Sequence, residues 1–144
     1  MRQQIITQVR TWLGTRFHHQ GRLKKTNAHK GGVDCIGLIT CIAAELDIQS
    51  RADGYIKNHD ITNYTQVSYK FILRPNLDKH FIKKPVAQIG DILLFEFDKQ
   101  DQHVAIKTDI GIIHSYALAR KVIEHRLDDS WLGKVKAVYS FAGF

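Results

Sequence analysis

Two short stretches of this chain hold side chains able to do covalent chemistry. The first, Gly31-Gly32-Val33-Asp34-Cys35-Ile36-Gly37-Leu38-Ile39, sets a cysteine where a glycine-rich loop gives way to an apolar, helix-periodic run. The second, Gln102-His103-Val104-Ala105-Ile106, opens a β-like run with a histidine, and His114 follows eleven residues later. A cysteine nucleophile and its imidazole base are commonly distant in sequence and adjacent in the fold, so the pair points to attack on an acyl carbonyl, by hydrolysis or transfer. A thiol in a first helical turn faces the positive end of the helix dipole and unpaired N–H groups, which predicts a lowered thiol pKa. Asp34 is placed as the N-cap or first-turn acid of the same helix. If the strands carrying His103 and His114 pair around a short hairpin, the imidazoles become neighbours and His114 can fix the tautomer of His103. Taken singly, each residue has a plainer reading: a buried structural cysteine, an exposed hairpin histidine, an ordinary strand residue.

The elements that must position these groups read from periodicity. Residues 2–13 put Ile5, Ile6, Val9, Trp12 and Leu13 at helical spacing, and Gly14-Thr15 ends the run. Residues 16–32 are a polar loop with His18, His19, Gln20 and His29. A second helix follows Asp34, with Cys35, Leu38, Ile39, Ile42, Ala43 and Leu46 in register, and 47–60 is a loop. Helical pieces are predicted around Val67–Phe71 and Leu77–Phe81, and Pro85 with Gln88-Ile89-Gly90-Asp91 marks a turn. Strands are predicted at Ile92–Phe97, His103–Lys107, Gly111–Tyr116, Lys121–His125 and Val135–Phe141, with short connections that imply antiparallel hairpins. Helices first and strands later make the class α+β, helices packed on an antiparallel sheet.

Composition bounds the rest. The 144 residues are read as one domain spanning 1–144, with 44% hydrophobic and 24% charged residues, ordinary for a globular chain. No apolar stretch is long enough to cross a membrane, and the first ten residues carry no signal-peptide core. Synthesis in the cytoplasm without a signal peptide is therefore expected. The net charge of +7 favours anionic partners such as nucleic acid, acidic lipid or an acidic wall polymer, but the basic residues are scattered and form no dense stripe. Cys35 and Cys41 would lie roughly 120° apart on one helix, so a disulfide between them is not expected, and Cys41 is read as a small buried hydrophobe.

The ordered blocks Trp12-Leu13-Gly14-Thr15, Gly31 to Leu38, Gly90-Asp91-Ile92-Leu93-Leu94-Phe95, His103-Val104-Ala105-Ile106 and Ile113-His114-Ser115 together resemble the NlpC-type cell-wall cysteine peptidases. The likeness runs from about residue 5 to residue 142. His18-His19-Gln20 and Val122-Ile123-Glu124 with Ser130-Trp131 look most like the phage-associated branch. The resemblance implies a papain-like NlpC fold with five or six antiparallel strands. It implies Cys35 as nucleophile, His103 as general base and His114 as the orienting residue, with no cofactor and no metal. The implied substrate is the peptidoglycan stem peptide, cut between the γ-carboxyl of D-glutamate and a diamino acid, with Asp34 holding the free amino end. Two positions depart from the common pattern: Ile36 stands where Ser is usual, and Phe17 where Tyr is usual. Each loses one polar contact toward substrate, for which His18 or His19 would have to substitute.

Three other readings use the same residues. His18, His19, His29 and Cys35 can be read as zinc ligands, but no pair among them has a firm zinc spacing. Tyr55, Tyr64 and Tyr69 interleave with basic residues, as in an inactive basic binding module or phage-tail part. The same cysteine chemistry on a non-wall substrate, as hydrolase or acyltransferase, is the third. The preferred reading expects neither nucleic-acid binding nor membrane insertion, and delivery to the wall by phage, lysis or a secretion system.

Overall fold

The computed structural model describes residues 2–60, 62, 64–65, 69–97 and 100–141. It opens with helix α1 (Arg2–Arg10), which buries Ile5, Ile6 and Val9 on one face. The helix stops short of the predicted Leu13 because the next residues close tighter i→i−3 bonds, Thr11 N–H to the Gln8 carbonyl and Trp12 N–H to the Val9 carbonyl. Trp12 is still buried and donates its indole N–H to Glu45 Oε1 at 2.6 Å. The predicted polar loop contains a two-stranded antiparallel ribbon, β1 (Arg22–Leu23) with β2 (Gly32–Val33).

Helix α2 (Cys35–Glu45) follows, and after it a 3-10 turn (Ile56–His59). Residues 67 and 68 of the first predicted helical piece lie outside the described residues. The remainder joins the second piece in one helix, α3 (Tyr69–His80), with Pro75 inside it. The chain then alternates through β3 (Ile82–Lys84), β4 (Ile92–Phe97), β5 (Gln100–Lys107), β6 (Ile112–Tyr116) and β7 (Lys121–His125). A single-turn helix, α4 (Asp129–Leu132), precedes β8 (Val135–Ser140).

Six strands form one antiparallel sheet in the order β3-β8-β4-β5-β6-β7. The α+β class and the antiparallel sheet follow the sequence expectation. Strand β3 and helix α4 were not predicted. Alternation divides the strand residues between two cores. Ile92, Leu94, Val104, Ile106, Ile113 and Val122 join the core formed with α1, α2 and α3. Leu93, Phe95, Ala105 and Ile112 form a second core, against which Phe97, Trp131 and Val138 pack. Among the described residues no helix is long and apolar enough to cross a membrane.

One buried carboxylate anchors the start of the chain to the sheet. Asp91 is fully buried, and it receives Arg2 at 2.6 Å, Lys84 Nζ at 2.8 Å and the Gln88 N–H at 2.8 Å. Removing a charge so enclosed leaves its partners without compensation, typically a loss of several kcal/mol. Asp91→Ala is expected to lower unfolding free energy by about 3 kcal/mol, read as a lower urea midpoint with an unchanged slope.

Candidate active site

Cys35 is positioned by its neighbours on both sides. Asp34 has extended backbone and caps α2, its Oδ1 accepting the Gly37 N–H at 2.7 Å. Gly37 is required by close approach, since a Cβ there would lie 2.5 Å from the Gly21 carbonyl oxygen. Ahead of the cap, Gly31 takes φ +67°, which L side chains rarely adopt. The Val33 carbonyl accepts the Ser115 hydroxyl from β6 at 2.6 Å, which ties the loop before Cys35 to the sheet.

The Asp34 carboxylate is only 4% exposed and accepts four donors. Besides Gly37 these are the Gln20 N–H at 2.8 Å, Arg22 Nη1 at 3.2 Å and the Tyr64 hydroxyl. Arg22 is held in turn by Asp60 at 2.8 Å. The family resemblance gave Asp34 a substrate amine to hold; here its acceptor positions serve the protein itself.

Cys35 and His103 line one cavity of about 360 Å3, together with Phe17, His19, Tyr64 and Tyr116. Asp34 and Ile36 reach the same cavity. His18 does not line it: its ring is exposed and its Nδ1 bonds the His19 carbonyl at 2.9 Å. Of the two adjacent histidines the backbone turns His19 inward and His18 outward. Ile36 has a second set of neighbours, packing against the main core and flanking an apolar pocket with Leu73, Leu77 and Val104. A hydrophobic residue at that position is thereby accounted for by packing. His29 lies apart, its Nδ1 accepting the Gly31 N–H at 3.1 Å. Among the described residues no group of three or more His, Cys, Asp or Glu side chains gathers to hold a metal ion.

His103 lies on the sheet face of the second core, beside Phe95 and Phe97. Its Nε2 is 2.5 Å from His114 Nδ1, so the predicted imidazole pairing is present. Nδ1 is then the ring nitrogen left for a group in the cavity. The Cys35 sulfur is reached by the backbone N–H of Val104, the residue after His103, and by those of Ile36 and Cys35. Burial opposes charge on both the thiol and the imidazole. Burial, reinforced by the Asp34 carboxylate, pushes the Cys35 thiol up to about 12 against these N–H groups. Burial drives His103 down to about 4, with His125 adding to the effect, and His114 down to about 2, with His103 and His125 adding. The lowered thiol pKa expected from the helix terminus is overturned, because Cys35 is only 8% exposed and loses more by desolvation than three N–H groups restore. The two cysteines are free, as expected; Cys41 is half-buried rather than buried.

Sequence reasoning missed Arg22, Tyr64 and Ser115, which hold the cysteine loop, and Tyr116, Trp131 and His125 around the histidines. Tyr64 and Arg22 carried no local signal. His125 had one: His103, His114 and His125 are spaced eleven apart on three consecutive predicted strands.

No family model matches the chain, and no curated protein matches it in sequence. Solved structures do match in three dimensions. The NlpC/p60 domain of the peptidoglycan hydrolase SagA superposes with a TM-score of 0.60 at 18% identity, covering 98% of this chain and 99% of that one. The P60 domain of an antigen from M. avium subspecies paratuberculosis gives 0.59 at 16% identity, covering 99% and 96%. An NlpC/p60 family protein from Bacillus cereus gives 0.63 at 19% identity, covering 98% of this chain and 40% of the longer one. The chain has the NlpC/p60 fold.

The buried neutral histidines make folding acid-sensitive. Both titrate well below the 6.5 of an ordinary imidazole, so the unfolded chain binds more protons as pH falls below 6.5. Their destabilising effect is absent above about pH 7 and grows as pH drops from 6.5 toward 4. Melting temperature is expected to fall over that window, and His103→Asn with His114→Asn is expected to flatten the fall. A double variant with the wild-type pH slope would refute this cause.

Proposed function

We propose that this chain is a cysteine peptidase of the cell wall, acting on peptidoglycan stem peptides with Cys35 as nucleophile, His103 as base and His114 as orienting residue. The observation that carries the reading is the meeting in one cavity of a helix-start cysteine and an imidazole whose other nitrogen is already engaged. The fold shared with a peptidoglycan hydrolase domain supports the substrate class, as does a net charge of +7 facing an anionic polymer.

The reaction starts from the neutral pair. As the Cys35 sulfur attacks the peptide carbonyl carbon, its proton passes to His103 Nδ1, so the thiolate never accumulates. The C=O π bond opens to an oxyanion, for which the Cys35 backbone N–H at the start of α2 is the natural donor. The C–N bond then breaks, the imidazolium proton goes to the leaving amine, and a thioester remains on Cys35. Water, deprotonated by His103, attacks that thioester and releases the acid and the thiol. Cleavage at the γ-D-glutamyl–diamino acid bond is the assigned specificity. Delivery to the wall from a phage particle, a lysis event or a secretion system completes the proposal.

Ile36, Phe17 and the internally occupied Asp34 favour one second reading, the same acyl chemistry on a substrate without a free amino end. Purified peptidoglycan digested by wild type and by Cys35→Ala, with mass analysis of the muropeptides, separates the two. New amino ends on the diamino acid are expected from the wild type alone. Intact muropeptides with a Cys35 that alkylates faster in wild type than in His103→Ala would move the assignment to the second reading. Digestion by Cys35→Ala would overturn the nucleophile.

A further inference from the structure

An imidazole is an ambiguous orienting group. The carboxamide or carboxylate oxygen that holds a catalytic histidine in other sites can only accept a hydrogen bond, whereas His114 Nδ1 can either accept or donate. If it accepts, His103 carries its proton on Nε2 and offers a bare Nδ1 to the thiol. If it donates, the neutral His103 carries its proton on Nδ1 and has no lone pair left for the thiol. Something beyond His114 must decide between these arrangements.

The deciding group is in the fold. His114 Nε2 lies 2.8 Å from His125 Nε2, and His125 Nδ1 lies 2.8 Å from the Arg126 carbonyl oxygen. We propose that His125 is a positioning residue that fixes the tautomer of His103 through His114, a role that rests on the reading of His103 as the base. The direction follows from the end of the chain. A carbonyl only accepts, so His125 Nδ1 bears the proton and the neutral ring leaves Nε2 bare. That bare nitrogen accepts from His114 Nε2–H, and His114 Nδ1 is bare in turn. It accepts from His103 Nε2–H, and His103 Nδ1 is left as the proton acceptor.

The three histidines descend diagonally over three hydrogen-bonded strands. The β5–β6 register pairs Ile106 with Ile113, and the β6–β7 register pairs Ile112 with His125. The rings therefore share one sheet face. Trp131 of α4 packs against all of them, with centroid distances of 6.2 Å to His103, 5.2 Å to His114 and 5.4 Å to His125. Tyr116 stacks on His114 at 5.0 Å. The enclosure leaves the His103–His114 contact buried and the His114–His125 contact partly buried, while His125 Nδ1 meets the Arg126 carbonyl at the surface. When His103 takes the thiol proton, its Nε2–H still points at an acceptor whose own donor points the same way, and aligned bonds of this kind reinforce one another.

The test uses nitrogen-15 NMR of histidine ring nitrogens in the full chain, near neutral pH, with His125→Phe and His125→Gln beside the wild type. Phenylalanine keeps the ring under Trp131 and removes both nitrogens; glutamine restores an oxygen acceptor for His114 Nε2–H. His103 is expected as a single Nε2–H tautomer in wild type and His125→Gln, and as a mixture in His125→Phe. Loss of roughly one hydrogen bond's worth of bias corresponds to an about fivefold fall in kcat with KM unchanged. Chloroacetamide alkylation of Cys35, followed by peptide mass, is expected to slow about as much, with recovery in His125→Gln. An Nδ1–H tautomer of His103 in wild type overturns the proposal, as does an unchanged tautomer and alkylation rate in His125→Phe. Because tautomer and alkylation need no peptidoglycan, failure to digest the wall would remove the substrate assignment and leave this test standing.

Discussion

The structure around Cys35 depends on one buried carboxylate. Asp34 gathers donors from the first turn of α2, from the loop at Gln20, from Arg22 in the small ribbon and from Tyr64. These groups come from three parts of the chain, at 20–22, 37 and 64, so the carboxylate sets where α2 begins relative to them. A buried charge is tolerated only when its hydrogen-bonding capacity is filled, and this one is filled. The same charge opposes ionisation of the adjacent thiol. The residue that places Cys35 therefore also adds to the burial that pushes its thiol pKa up.

Burial that disfavours charge on both Cys35 and His103 bears on how the proposed chemistry would be organised. In sites that store a thiolate–imidazolium pair the charge separation exists before substrate arrives; burial of Cys35 and His103 works against storing it, so in the proposed reaction it develops as the carbonyl is attacked. With His103 as the proposed base, the demand then falls on the direction in which it accepts a proton rather than on the acidity of Cys35. This gives the histidine side of the site more importance than its distance from the sulfur suggests, and the aromatic enclosure by Trp131 and Tyr116 belongs to that side.

Much of this was legible in the residues, for identifiable reasons. The Cys35 helix announced itself by periodicity and its Asp cap, and the strands bearing His103 and His114 by alternation and short polar turns. Both signals are local. The thiol pKa was misjudged because desolvation is a property of what packs around Cys35, including strands more than sixty residues away, and the helix-terminus argument sees only neighbours in sequence. Tyr64 and Arg22 sit in polar stretches with no period, and their role exists only once Asp34 is buried between them. Strand β3 is three residues long and pairs along one side, with β8, so alternation had too little length to register. His18 and His19 could not be told apart without the turn that exposes one of them.

The eleven-residue rhythm of the histidines has a consequence for how such a chain can vary. Surface hairpin connections ordinarily accept insertions with little effect, because nothing is measured across them. Here the connections at 108–111 and 117–120 act as spacers of set length. One added residue that propagated into either strand would carry every later side chain to the opposite sheet face, taking an imidazole away from its neighbour. Two four-residue turns are thus held to a fixed length by a constraint acting within the strands they join, and drift in this lineage is expected to fall elsewhere, in loops whose length nothing counts.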